Sequence, residues 1–210
     1  MVLSGAGLED FMQDLIDDCN AVIDSSNGIS LLECTEEHDH DHAHHEADAH
    51  IWLAPENAKT MAENICKQLS AAYPQYEDTF RANLSYLNEK FDKLITYANN
   101  ELSTLTCREL ITFHDGFSYM AEAFDLTILH AIEEESGSEA SAAELIDMIN
   151  IVSEHRIPAI FIEKNSSGAA ASIIARETGI RTCALDMAMS GDSYFTAMYH
   201  NIDTIKEALQ

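Results

Sequence analysis

The chain has 210 residues and is strongly acidic, with 37 Asp and Glu against 11 Lys and Arg and a formal net charge of -26. Its contents of 46% hydrophobic and 23% charged residues are ordinary for a folded protein with buried cores. The charge disfavours nucleic acid and anionic membranes as partners and favours cations. The five cysteines show no Cys-x-x-Cys spacing, which argues against a zinc ribbon or a thioredoxin-like redox site.

The first part of the chain, residues 1–73, is poor in predicted strands. It starts with a short apolar strand, Val2–Leu3, which turns into a helical pattern. The apolar positions of that pattern are Leu8, Phe11, Met12 and Leu15. A second apolar run covers residues 29–32, and Pro55 opens a further amphipathic helix. At most two strand-helix units fit into this part, which is about half of an α/β lobe.

A tract in which His alternates with Asp lies at residues 36–46, between the second apolar run and the Pro55 helix. It holds half of the ten histidines of the chain, namely His38, His40, His42, His44 and His45. Imidazole nitrogen suits zinc and its first-row neighbours, so metal handling is the leading hypothesis. With no apolar anchor, the tract is expected to be disordered without metal and to bind several ions weakly; the alternative is a functionally silent loop.

A long helix is predicted for residues 74–104, which contain no internal Gly or Pro and repeat apolar residues at helical spacing. Such a helix would be about 45 Å long, which is more than a small domain needs for its own core. We interpret it as a rigid strut between two lobes. A coiled coil is the competing interpretation, but the stretch is short for a sustained heptad pattern.

The last part, residues 105–210, alternates short apolar strands with helices. The predicted strands are Leu110–Phe113, Leu126–Leu129, Ala159–Ile162 and Cys183–Leu185. The predicted helices are Gly116–Phe124, Glu139–His155, Ser167–Thr178 and Tyr194–Leu209. Such alternation predicts a parallel sheet with helices on both faces, and four units make a complete α/β lobe.

Two polar residues follow predicted strands of this lobe directly. His114 comes after Phe113, and Asp186 comes after Leu185. Ligands of open α/β sheets bind beyond the carboxyl ends of the strands, so this position favours a role in binding for both residues. The structural alternatives are a loop or capping histidine and a capping aspartate.

The order of several segments along the chain resembles a known family. The matching segments are Ala49–Pro55, the predicted strut, Thr112–Tyr119, Phe161–Glu163 with Glu177–Gly179, and Asp186–Met189 followed by Tyr194 and Asn201. Together they resemble the zinc and manganese substrate-binding proteins of metal ABC transporters, the ZnuA/TroA-like cluster. The resemblance covers nearly the whole chain.

The resemblance implies two α/β lobes joined by a rigid helix, with the metal held between them and passed to a membrane permease. It implies three metal ligands: His50 at the end of the first lobe, His114 at the start of the second, and the late carboxylate Asp186. A histidine at position 114, where manganese binders of the family tend to carry a carboxylate, points to zinc rather than manganese. The His-rich tract occupies the place of a mobile loop found in zinc members.

Family members begin with an export signal and further strand-helix units, including an Asp-Pro-His segment, and these features do not occur in this sequence. We therefore expect a truncated first lobe. Residues 4–9 resemble a family segment that lies well downstream of that histidine. The full-length relative is expected in the periplasm or anchored at the cell surface, although this chain shows no signal peptide. An uncovered sheet edge also predicts self-association through the first lobe.

These patterns predict a non-enzymatic, extracytoplasmic protein that captures zinc for an ABC transporter. The alternatives are a zinc buffer or chaperone that binds through the His-rich tract, and a transport-incompetent fragment of such a binding protein. A zinc hydrolase is disfavoured because the sequence has no His-Glu-x-x-His motif.

Overall fold

The structure is a computed structural model that describes residues 1–32, 47–133, 141–166, 168–189 and 193–210, without the side chains of residues 132 and 133. The His-rich tract and its five histidines lie outside the described residues. The chain divides into two compact units, Met1–Lys93 and Leu94–Gln210.

In its described residues, 1–32 and 47–93, the first unit contains a small sheet of two parallel strands and three helices. Strand β1 (Val2–Leu3) pairs with β2 (Ile23–Asp24), so that Val2 lies opposite Ile23. The helices are α1 (Gln13–Asp17), α2 (Pro55–Ala72) and the first part of α3 (Glu77–Leu102), and single 3-10 turns cover Asp10–Met12, Ile51–Leu53 and Pro74–Tyr76. Pro55 occupies the first turn of α2, where its missing N–H costs no hydrogen bond.

The amphipathic helix predicted after β1 is only partly formed. A 3-10 turn and the five-residue helix α1 replace it, and Phe11 and Leu15 are 84% and 57% exposed. The Glu9 carboxylate accepts hydrogen bonds from the backbone N–H groups of Ser4 and Gly5, which holds this segment in a turn. Helical spacing of apolar residues was therefore a poor guide here, because no described surface buries them.

The long predicted helix is present as α3, which starts three residues later than predicted and runs to Leu102. Phe91, Leu94, Ala98 and Leu102 are buried at helical spacing. The boundary between the two units falls inside α3. Its role as a strut, and the predicted division into residues 1–73, 74–104 and 105–210, stay predictions. None of the described helices is long and apolar enough to cross a membrane.

The second unit is built on a sheet of four parallel strands. They are β3 (Glu109–His114), β4 (Thr127–Glu133), β5 (Ala159–Glu163) and β6 (Arg181–Leu185), in the order β4-β3-β5-β6. The accompanying helices are α4 (Ser118–Ala123), α5 (Ala142–His155), α6 (Ala169–Thr178) and α7 (Tyr194–Leu209). The predicted α/β class with parallel strands and flanking helices is confirmed.

Helix α5 begins at Ala142, where Ser141 caps it and forms a capping box with Glu144. The predicted start of this helix, Glu139, lies outside the described residues. On one face of the sheet, apolar side chains of β3 and β5 pack with α5 and α6 in a buried cluster; its members include Ile111, Phe113, Met148, Ile160 and Ile174. Strands buried on both faces read as continuous apolar runs, which is why they were recognised in the sequence.

Asn201 of α7 fixes the backbone at the end of β6. Its amide oxygen accepts a hydrogen bond from the N–H of Asp186 at 2.8 Å, and its amide nitrogen donates to the C=O of Asp186 at 2.8 Å. Asn201 is fully buried, so water cannot replace these bonds. One side chain therefore satisfies both backbone groups of Asp186.

We predict that Asn201→Ala lowers the free energy of unfolding of the second unit by about 2–4 kcal/mol, because two buried backbone groups lose their partners. Hydrogen exchange of the metal-free protein, read by mass spectrometry on peptides from β6 and α7, measures this change.

The matched control is Asn99→Ala, which removes the same amide from an exposed position near the end of α3. It should change the free energy of unfolding by less than about 0.5 kcal/mol. Equal exchange in the two variants would contradict the assigned role of Asn201.

Candidate metal site

The carboxyl ends of the four strands of the second unit meet at one edge of the sheet. The chain order reverses between β3 and β5, which is where open α/β sheets bind their ligands. His114 was predicted to be the first residue after β3, but it is the last residue of that strand. Asp186 is the first residue after β6, which agrees with the prediction. Lys164 follows β5 at the same edge.

The absence of a side chain at Gly116 leaves room for the His114 imidazole beside the segment that follows β6. A Cβ atom on Gly116 would lie 2.6 Å from Nε2 of His114 and 2.9 Å from Cε of Met187. Both side chains therefore approach the same point, and Met187 is the neighbour of Asp186 in sequence. The ring of Phe117 meets the imidazole edge to face, with centroids 6.4 Å apart. The structure thus brings His114 and the Asp186 segment together.

The carboxylate of Asp186 is buried and fully engaged. The residue is 2% exposed; Oδ1 accepts a hydrogen bond from the N–H of Ala188 at 2.9 Å, and Oδ2 accepts one from Nζ of Lys164 at 2.9 Å. Ala188 lies in the left-handed region with a φ of 57°, so the chain turns sharply around the carboxylate. The backbone and the carboxylate of Asp186 are therefore both held in place.

Asp186 stays ionised in this environment. Burial opposes ionisation, but the hydrogen bonds from Lys164 and Ala188, with the nearby positive charge of Lys164 and a smaller contribution from His200, outweigh it. Together they hold the pKa of this carboxyl below its ordinary value. The carboxylate is consequently in the form that binds a cation.

The predicted ligand of the first unit, His50, is paired with a carboxylate that we had not singled out. Oδ1 of Asp48 accepts hydrogen bonds from the backbone N–H and from Nδ1 of His50, each at 2.8 Å. His50 and Asp48 are 7% and 5% exposed, and the ring of Trp52 lies 5.4 Å from the imidazole. A proton on Nδ1 places the lone pair of the neutral ring on Nε2, which is the tautomer that a metal ligand needs.

The second carboxylate oxygen of Asp48 lowers the stability of the fold. Oδ2 of Asp48 is buried and has no hydrogen-bond partner in the described part of the chain. A buried, half-satisfied carboxylate costs free energy of folding. This cost favours a functional reason for Asp48.

Sequence reasoning missed two polar residues, Asp48 and Lys164. The Asp-x-His spacing of Asp48 and His50 was the available signal for the first, since a carboxylate two residues before a histidine can reach its ring. The second follows from the edge rule already applied to His114 and Asp186. Within either unit, the described residues bring no three His, Cys, Asp or Glu side chains together as a metal site. The roles of His50, His114 and Asp186 as ligands are therefore proposals.

We predict that Gly116→Ala destabilises the metal-free protein by about 1–3 kcal/mol, because the new methyl group overlaps the His114 ring. Denaturant unfolding measures the cost. The NMR signals of the His114 ring should also shift, because the ring leaves its position at Phe117.

A double-mutant cycle with His114→Ala provides the control. In that background the methyl group has room, so most of the cost of Gly116→Ala should disappear. An undiminished cost would mean that the backbone, and not the imidazole, requires glycine at this position.

Comparison with known proteins places this chain in a family. The family model described as "Zinc-uptake complex component A periplasmic" matches residues 1–208. The zinc-binding lipoprotein AdcA of Streptococcus pneumoniae is 32% identical over an alignment 184 residues long, which covers 82% of this chain and 37% of AdcA. The chain thus spans little more than a third of that relative.

Solved structures agree with the family match. A crystal structure of ZnuA superposes with a TM-score of 0.88 at 31% identity, over 100% of this chain and 79% of that one. A ZnuA deletion mutant with zinc bound gives a TM-score of 0.85 at 30% identity, over 100% of this chain and 78% of that one. The fold, the ordered segments and the family model therefore agree, and the chain belongs to the ZnuA family of zinc-uptake components.

Proposed function

We propose that this chain is the zinc-capturing part of an extracytoplasmic substrate-binding protein of a metal ABC transporter. The observation that carries the proposal is the meeting of His114 with the Asp186 segment at the carboxyl edge of the sheet, next to Gly116. An imidazole and an ionised carboxylate are ligands that zinc accepts. No oxidation or bond cleavage is needed, because the metal is the cargo.

We propose His50, His114 and Asp186 as zinc ligands, with water as a further ligand where protein ligands run short. The hydrogen bond from Nδ1 of His50 to Asp48 supports its inclusion, because most metal-bound histidines donate their second ring N–H to a carboxylate or a carbonyl. Asp48 is then a positioning residue that orients the His50 ring.

Zinc is favoured over manganese as the cargo. Two of the three proposed ligands are imidazoles, and imidazole suits zinc, whereas manganese prefers carboxylate, carbonyl and water ligands. The relatives of 30% identity or more include a zinc-binding lipoprotein and a ZnuA structure with zinc bound.

The proposed partners are the zinc ion and the membrane permease of the transporter, and the proposed location is outside the cytoplasm. The description of the family as periplasmic and of AdcA as a lipoprotein supports this location. Self-association through the first unit stays a prediction; the exposure of Phe11 and Leu15 favours it.

A zinc buffer or chaperone that binds through the His-rich tract is the second candidate function. The tract concentrates five histidines within eight residues, 38–45, and can hold ions without any folded site. The two functions differ in which residues hold the tightest ion.

Deletion of residues 37–45 separates them. We predict that the protein without residues 37–45 still binds one zinc ion tightly. In this background, His114→Ala should weaken zinc binding more than about 100-fold, because mutation of residues that only contact a metal ligand already lowers metal affinity by about 10–100-fold. His50→Ala should act in the same direction. Isothermal titration calorimetry with zinc measures both effects.

The control is His155→Ala, which removes an exposed histidine that pairs only loosely with Glu109, at 3.4 Å. It should leave the zinc isotherm unchanged. Loss of most bound zinc on deletion of the tract would favour the buffer, and an unchanged isotherm in the His50 and His114 variants would rule out these ligands.

We predict that Asp48→Asn weakens zinc binding by about 10–100-fold, because the neutral amide orients and polarises His50 less well than the carboxylate. The metal-free protein should keep its stability within about 1 kcal/mol, since Asn retains an acceptor oxygen and relieves a buried charge. Calorimetry gives the affinity, and thermal unfolding gives the stability.

Asp18→Asn is the matched control, because it makes the same change of charge at an exposed position of the same unit. Equal zinc affinities in the two variants would show that Asp48 acts only through net charge. A large loss of stability in Asp48→Asn would show that Asp48 has a structural role.

A further inference from the structure

Lys164 and Asp186 are placed opposite each other by the pairing of β5 with β6. Glu163, the last residue of β5, lies beside Leu185, the last residue of β6, and the N–H of Lys164 donates to the C=O of Leu185 at 2.8 Å. The first residues after the two strands are therefore held side by side. Nζ of Lys164 reaches Oδ2 of Asp186 at 2.9 Å.

The two partners of this ion pair differ in exposure and in how firmly the surrounding hydrogen bonds hold them. Asp186 is held through both backbone groups by Asn201 and through Oδ1 by Ala188, and its side chain is 3% exposed. The side chain of Lys164 is 43% exposed, and a flexible chain of four carbons joins its ammonium to the backbone. The carboxylate is thus held by several bonds besides the ion pair, whereas the lysine ammonium sits at the end of a partly exposed, flexible side chain.

We infer that Lys164 is an internal counter-ion of Asp186, which an incoming divalent cation displaces from the carboxylate. The inference rests on the proposed function, in which Asp186 is a zinc ligand. Zinc and the ammonium are both attracted to the same buried carboxylate, and they repel each other. Each cation therefore weakens the interaction of the other with the carboxylate. Lys164 consequently lowers the zinc affinity and speeds zinc release.

The exchange also favours multivalent ions. A monovalent cation that replaced the ammonium would restore only the same single charge, whereas a divalent ion brings twice that charge to the carboxylate. Removal of zinc lets the ammonium return, so the buried carboxylate is not left without a partner. A device of this kind suits a protein that must release its cargo.

The test compares zinc binding to the Lys164→Met variant of the 210-residue chain and to the unmodified chain, with zinc chloride and a chromophoric chelator as competitor. We expect Lys164→Met to bind zinc at least tenfold more tightly, with slower release in stopped-flow measurements. Lys164→Gln is a second variant in case Met disturbs folding. Lys206→Met, which removes a lysine paired with Glu101, corrects for the change in net charge.

A double-mutant cycle and a metal-free measurement complete the test. In the Asp186→Asn background, Lys164→Met should change the zinc affinity less than twofold, because no charge remains to be contested. Without metal, Lys164→Met should unfold at a lower temperature than Lys206→Met. Zinc should raise the unfolding temperature of Lys164→Met by more than it raises that of the unmodified chain.

The possible outcomes separate the inference from the proposed function. Unchanged or weaker zinc binding in Lys164→Met, with a tight site in the unmodified chain, would overturn the inference and leave the proposed function standing. The proposed function itself would be overturned if the unmodified 210-residue chain had no tight zinc site outside the His-rich tract.

Discussion

The candidate site depends on one constraint, which is that all strands of a parallel sheet point their carboxyl ends toward the same edge. Residues far apart in sequence, such as His114, Lys164 and Asp186, are thereby collected at one place without any local motif joining them. The reversal of chain order between β3 and β5 opens this edge to a ligand. The helices and the apolar cluster between the sheet and α5 and α6 keep the strands in register, so they support the site indirectly.

The second organising feature is the treatment of buried carboxylates in a chain that carries a formal net charge of -26. Most acidic side chains are at the surface, where they repel one another only weakly through water and salt. Among the residues that the structure describes, the buried acidic side chains are Asp48 and Asp186, and each has a specific partner: an imidazole for Asp48 and an ammonium for Asp186. Burial makes such partners necessary, because an isolated ionised carboxylate in a protein interior is very costly.

The two buried pairs have different consequences for metal binding. If His50 is a metal ligand as proposed, Asp48 acts in favour of the metal, because it orients the imidazole. If Asp186 is a metal ligand as proposed, Lys164 acts against the metal, because it occupies a carboxylate oxygen. A protein with the proposed transport function has to bind tightly enough to capture its cargo and weakly enough to release it. A combination of supporting and competing partners would meet both requirements.

Most of the second unit could be predicted from the sequence. Its central strands β3 and β5 are largely buried and appear in the sequence as short apolar runs, and its helices follow these runs in regular alternation. The first unit was harder to predict, because the apolar spacing around Phe11 and Leu15 suggested a longer helix than the one that forms. Periodicity reports which side chains could share a face, but only the surrounding structure decides whether anything covers that face.

The sequence by itself determined the α/β class, the ordered segments that identify the family, and the residues most suited to bind a metal. These features follow from residue type and spacing, which act locally along the chain. Only the tertiary structure decided the partners of those residues. His50 is hydrogen-bonded to Asp48, and the imidazole of His114 lies close to Gly116. Asp186 is hydrogen-bonded to Lys164 and Asn201. Hydrogen bonds and ion pairs depend on distances of about 3 Å between groups that are remote in sequence, and the packing of the folded chain sets those distances.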